Sequence, residues 1–208
     1  MPLDLREMLD PAHTAVLTME LQRGVVGDRA KIAPLADEVA SGGVLANAAR
    51  VCAAARAAGA RVVHCTAQFR PDRAGSSDNS PMLRNIAKSP DQMIEGTADV
   101  ELVPELDVQP SDIVSPRHHG LTPFPGTELD QILRNLGVTT IVATGVSVNL
   151  GVLGMALTGL DLGYQVVIVR DAVAGVPADY AQAVLDNSLA MIATIVTSGE
   201  LLTAWSKN

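Results

Sequence analysis

Short apolar runs recur along the chain at steady intervals, each followed by a polar turn and then by a helical pattern. Strands are expected at Ala15–Met19, Arg61–Thr66, Asp112–Ser115, Thr140–Thr144, Gln165–Val169 and Ala193–Thr197. Between them, Val44 to Ala58 carries apolar side chains at Val44, Leu45, Ala48, Val51, Cys52 and Ala55, a helical spacing that Gly59 ends. Thr127–Leu136 puts Leu129, Ile132, Leu133 and Leu136 on one face. Asn149–Leu162 is apolar nearly all round, as a helix buried against a sheet would be. Further helices are expected over Asp179–Leu189 and Leu201–Trp205. Strand and helix in strict alternation force parallel pairing through right-handed crossovers. The expected fold class is α/β: a Rossmann-like three-layer sandwich with a six-stranded parallel sheet flanked by helices, as one domain over 1–208. The polar connection from Phe69 to Glu101 reads as a lid, an oligomer arm or plain surface loop.

Composition narrows the core and the partners. Hydrophobic residues make up 48% of the chain and aromatics 2%, so the core must be aliphatic, which suits a sheet covered on both faces. A net charge of −8 disfavours nucleic acid and anionic membranes, leaving a small molecule as the expected partner. No apolar run has membrane-spanning length and the N-terminus lacks a signal-peptide pattern, so a cytoplasmic protein is expected. Cys52 and Cys65 sit in a helical and a strand pattern and form neither a disulfide framework nor a zinc motif. His13 and His64 are most simply structural histidines. No metal is expected, because neither cysteine has the spacing of a zinc site, and no cofactor, because the glycine pattern after the fourth strand matches neither a dinucleotide fingerprint nor a phosphate loop.

Ligands of open parallel sheets bind beyond the carboxyl ends of the strands. Glu20 follows the first strand directly, flanked by apolar neighbours. It is either an exposed loop acid or a partly buried carboxyl with a raised pKa, fit for acid/base work. After the third strand, Arg117, His118 and His119 cluster in an otherwise acidic chain. They read as a solvated loop or as a site for an anion, since guanidinium forks hold carboxylates and imidazole titrates near neutrality. After the fourth strand, Gly145 to Gly154 enters a buried helix with free backbone N–H groups, an arrangement that stabilises a developing oxyanion or simply packs tightly.

Four runs together resemble the isochorismatase-like hydrolases of the cysteine hydrolase superfamily: Ala15–Gln22, Thr122–Asp130, Thr144–Asn149, and Gly163–Val167 with Asp171–Ala174. The resemblance implies a catalytic aspartate, lysine and cysteine. Counted along the motifs, those positions hold Glu20, His118 (with Arg117 beside it) and Gly151. It also implies a non-proline cis peptide at Val146–Ser147, a pocket lined by Gln22, Thr122, Phe124, Val146 and Ser147, and a homodimer or homotetramer. Without a thiolate at 151 an acyl-enzyme route is not expected, and Cys65 reads as a buried structural thiol. Two functions remain. One is hydrolysis of a small anionic molecule without a covalent intermediate, with isochorismatase-type vinyl ether cleavage as the nearest chemistry: Glu20 acting as acid, Arg117 and His118 holding carboxylates. The other is an inactive relative that binds a small molecule or a partner protein.

Overall fold

A computed structural model describes residues 4–206. Six strands, β1 Thr14–Met19, β2 Arg61–Ala67, β3 Ile113–Arg117, β4 Thr140–Val146, β5 Gln165–Ala174 and β6 Thr194–Val196, form one sheet in the order β3-β2-β1-β4-β5-β6. Every neighbouring pair is parallel. Eight helices accompany them: α1 Leu5–Met8, α2 Ala33–Ser41, α3 Val44–Ala58, α4 Pro81–Ile86, α5 Leu129–Asn135, α6 Leu153–Asp161, α7 Ala178–Asn187 and α8 Ser198–Trp205. The order reverses between β1 and β4, which opens a crevice at their carboxyl ends.

Alternation along each strand divides the core into two layers. Val16, Val62, Val142, Val167 and Val169 face α2, α3 and α8. Leu17, Met19, Val63, Ile141 and Ile168 face α5, α6 and α7. All six residues of β1 are buried, as a central parallel strand requires. A buried polar network ties the first layer to edge strand β3. Asp112 accepts from Arg56 Nη2 (2.6 Å) and Nε (3.0 Å) on α3 and from the Gln109 amide. His64 lies 3.3 Å from the same carboxylate and shares a 2.8 Å hydrogen bond with Thr18. Burial drives the His64 imidazole below its ordinary value, against the pull of Asp112. Burial pushes the Asp112 carboxyl up, but Arg56, the Gln109 amide and His64 outweigh it and leave it lowered.

The boundaries differ from the expected ones for local reasons. Strand β3 runs through Pro116, where the apolar pattern breaks, because an edge strand has a side on which no N–H is needed. Strand β5 continues to Ala174 past a register shift opposite Ala143 and Gly145. Gly145 has φ +100°, and a Cβ there would lie 2.2 Å from the Met19 carbonyl oxygen, so only glycine lets β4 pass β1 this closely. The expected helix from Asn149 begins as a π-helical turn, Val148–Val152, before α6 takes over. Three helices escape the apolar pattern, α1, α2 and α4. The last lies inside the polar connection, started by Ser80, whose hydroxyl accepts from the Leu83 amide, and by Pro81 in the first turn.

Candidate active site

Glu20 leaves β1 in a left-handed conformation, φ +51°, with its amide donating to the Cys65 carbonyl at 2.9 Å. A non-glycine residue held this way costs on the order of 1–3 kcal/mol, and such residues gather at functional sites. The turn aims the carboxylate across the end of β2 at Arg117, the last residue of β3. Arg117 Nη2 donates to Glu20 Oε1, and Nε donates to the Gly120 carbonyl at 3.3 Å. The arginine side chain is 6% exposed and the glutamate 18%. Arg117 Nη1 is buried with no hydrogen-bond partner among the described residues. An unpaired buried donor costs about 1–3 kcal/mol, so this atom has a strong demand for an acceptor.

The pair forms the floor of a cavity of about 240 Å³. Val25, Ile32, Phe69, Met82, Ile86 and Met93 supply apolar walls, while Lys31, Asn85, Ser89 and Gln92 add polar groups. Much of the wall comes from the 69–101 connection, which folds back instead of looping into solvent. It pairs with the exit of β1 through Arg23 N to Glu101 O (2.8 Å) and Gly24 N to Asp99 O (2.8 Å). Asp99, held below its ordinary value mainly by the Arg29 guanidinium, also accepts from the Met93 amide.

The other expected site residues are placed as follows. Gln22 is fully buried and clamps backbone, donating to the Ala67 and Val100 carbonyls and accepting from the Ala67 amide. His118 projects to the opposite side of the chain from Arg117, as successive residues at a strand end do. There its Nε2 lies 2.9 Å from Gln68 Nε2 and 3.3 Å from Glu95 Oε2, near the surface. Phe124 is buried and stacks on Tyr164 with centroids 6.0 Å apart. Thr122 packs on Gly154, where a Cβ would meet its Cγ2 at 2.1 Å. Val146 is fully buried and joined to Ser147 by a cis peptide; the Ser147 hydroxyl donates to Asn149 Oδ1. None of these lines the cavity beside Glu20, so the structure brings together Glu20 and Arg117 alone of the expected set.

Gly151 stands in the π-helical turn, buried. A Cβ built there would lie 2.8 Å from Met19 Cε and 3.2 Å from the Val146 carbonyl oxygen, so the Met19 side chain fills the space beside it. Cys65 is 1% exposed, and burial pushes its thiol up to about 12. Cys52, on α3, is likewise buried and raised to about 12. Among the described residues no group of three or more His, Cys, Asp or Glu is placed to hold a metal ion, and no helix is long and apolar enough to cross a membrane.

Sequence signals for several of these features were present but local. The Thr18–His64–Asp112–Arg56 network and the wall contributed by α4 could be found only once the strands were placed side by side.

A profile described as the isochorismatase domain matches residues 14–200. The ureidoacrylate amidohydrolase RutB of Pseudomonas savastanoi pv. phaseolicola is 31% identical over 189 residues, covering 84% of this chain and 76% of that protein. The protein of the same name from Pantoea ananatis is 32% identical over 190 residues, covering 83% and 73%. The solved structure of an isochorismatase family protein from Burkholderia thailandensis superposes with a TM-score of 0.78 at 28% identity, covering 96% of this chain and 98% of that one. The strand order and these matches agree: the chain belongs to the isochorismatase family of hydrolases.

Proposed function

We propose that this chain hydrolyses a C–N bond of a small amide or ureide by direct attack of water, without a covalent cysteine intermediate. The Glu20–Arg117 pair on the cavity floor is the observation that carries the reading. A carboxylate beside a guanidinium offers an acceptor and a donor edge to edge, matching the N–H and C=O of an amide or ureido group. The names of the curated relatives, ureidoacrylate amidohydrolases, support the same bond type.

In this reading Glu20 takes a proton from water as the water oxygen bonds to the carbonyl carbon. The carbonyl π electrons move onto oxygen, and the Arg117 guanidinium, which lines the cavity, stabilises the oxyanion. The tetrahedral adduct collapses, the C–N bond breaks, and Glu20 returns the proton to the leaving nitrogen. Water is consumed, and an acid and an amine form. Position 151, to which counting along the motif assigns the family's cysteine, is glycine, and the space beside it is taken by Met19. The remaining thiols are buried and held protonated. Protonation of a vinyl ether carbon is the second reading. It shares the lack of a nucleophile, but it needs no acceptor and donor side by side, which is what Glu20 and Arg117 present.

The experiment is a turnover screen of purified protein against ureido acids, simple amides and isochorismate, with Glu20→Gln as control. Ureide or amide hydrolysis that falls by about 10²–10⁴-fold in the variant is expected. Turnover undiminished in the variant would sink the Glu20 role. Turnover of isochorismate alone would favour the vinyl ether reading, and saturable binding without turnover an inactive relative.

We also infer a homodimer or homotetramer. Leu150, Leu157 and Leu160 lie 41–45% exposed along the π-helical turn and α6, more apolar surface than one helix usually leaves in water.

A further inference from the structure

The floor of the cavity carries no net charge, because the Arg117 cation is spent on the Glu20 carboxylate. A ligand carboxylate placed there would lie against Glu20 and meet like charge. The floor therefore suits a neutral head that has both a donor and an acceptor. The only other ionisable side chain lining the cavity is Lys31, exposed on the connection between β1 and α2. Arg23 is committed to Asp28 and Glu101, Arg29 to Asp99, and Arg73 to the Ser89, Pro90 and Gln92 carbonyls, while Lys88, next to Ser89, does not line the cavity. Lys31 makes no hydrogen bond or ion pair among the described residues; it feels Asp99, which Arg29 already neutralises. Val25, Ile32 and Phe69 give the same cavity apolar lining. In a molecule of net charge −8, one uncommitted cation at the mouth is the local feature that would draw an anion in.

We propose that Lys31 is the charge-selecting residue of this cavity: the ligand enters with its neutral polar head toward Glu20 and Arg117 and leaves a single carboxylate at the mouth against Lys31. The inference rests on the reading of this cavity as the hydrolytic site, and it fixes the orientation of the substrate within it.

The test compares N-carbamoyl-β-alanine, a ureido monoacid, with its neutral methyl ester. Both are titrated by calorimetry into the wild-type protein, Lys31→Met and Lys31→Glu, and both are assayed for turnover. The wild type is expected to bind the acid more tightly than the ester. Lys31→Met should weaken acid binding about three- to tenfold while leaving the ester unchanged, and Lys31→Glu should reverse the preference. The acid's advantage should also shrink with added salt. Equal loss for acid and ester, no loss for either, or no binding of either by the wild type overturns the proposal. Lys31-dependent binding of the acid without turnover leaves the proposal standing and removes the hydrolytic reading. Turnover indifferent to Lys31 and to ligand charge does the reverse.

Discussion

At the scale of single residues, Met19 and Gly151 have to be considered together. Each is ordinary alone: a buried methionine on a central strand and a glycine in a π-helical turn. The Cβ distance of 2.8 Å to Met19 Cε couples them, so a side chain at 151 must displace the methionine or press on the Val146 carbonyl. Gly151→Cys alone should lower stability by about 1–3 kcal/mol from overpacking. Shortening the neighbour as well, in Met19→Ala/Gly151→Cys, should recover most of that loss. Urea denaturation midpoints of the two variants check this; equal midpoints would mean that Met19 yields freely. Counting along the family motif leads to His118 with Arg117 beside it, and the structure sets Arg117 against Glu20. The three titratable residues in a row were legible as a cluster. Which of them faces inward was not, because that depends on where β3 ends, and Pro116 hides the end.

At the scale of elements, the polar connection after β2 shows how a wall can escape a pattern search. Its helix α4 has one buried apolar residue, Leu83, and only the Ser80–Pro81 start marks it. Backbone pairing fixes both ends of the segment, and one side chain ties its middle together. Arg73 stacks on Phe69, 4.1 Å from the ring centre, and donates to three backbone carbonyls at Ser89, Pro90 and Gln92. Arg73→Met should therefore free the segment, and limited trypsin digestion should cut after Arg84 and Lys88 on the order of tenfold faster than in the wild type. An unchanged cleavage rate would place the anchoring elsewhere. The network joining β1, β2, α3 and the start of β3 belongs to the same scale. His64 in the fold has a lowered pKa, so the unfolded chain takes up that proton first, near pH 6.5. Stability from the neutral imidazole is thus complete above about pH 6.5 and is lost as pH falls toward the folded value. Asp112, also lowered, adds a second loss of the same sign below about pH 3.9. Unfolding free energies measured from pH 8 to pH 3 should fall in these two windows, and His64→Gln should abolish the first. Asp112→Asn should cost about 3–5 kcal/mol at neutral pH, since it leaves Arg56 without its anion.

At the scale of the whole molecule, the alternation of apolar runs with helical patterns was sufficient to place all six strands and the parallel sheet. The helix Val44–Ala58 matches its expected limits, since a one-sided apolar stripe and a closing glycine are both local signals. The crossing of β1 and β4 at Gly145, the bulge in β5 and the cavity walls arise from long-range contacts and had no local signature. For the assembly, light scattering should give the mass of two or four chains, and Leu157→Glu should shift it toward one. A monomeric wild type would contradict the oligomer.

Hydrolysis by water activated at Glu20, with no thiol taking part, is tested most directly by the kcat/KM of the double variant Cys52→Ala/Cys65→Ala on the compound that the wild type turns over. These are the only two cysteines in the chain, so the variant is free of thiols. Retention of kcat/KM within about threefold in the folded variant is the expected result. A loss of a hundredfold or more, in a variant that still unfolds cooperatively, would show that a cysteine carries the reaction.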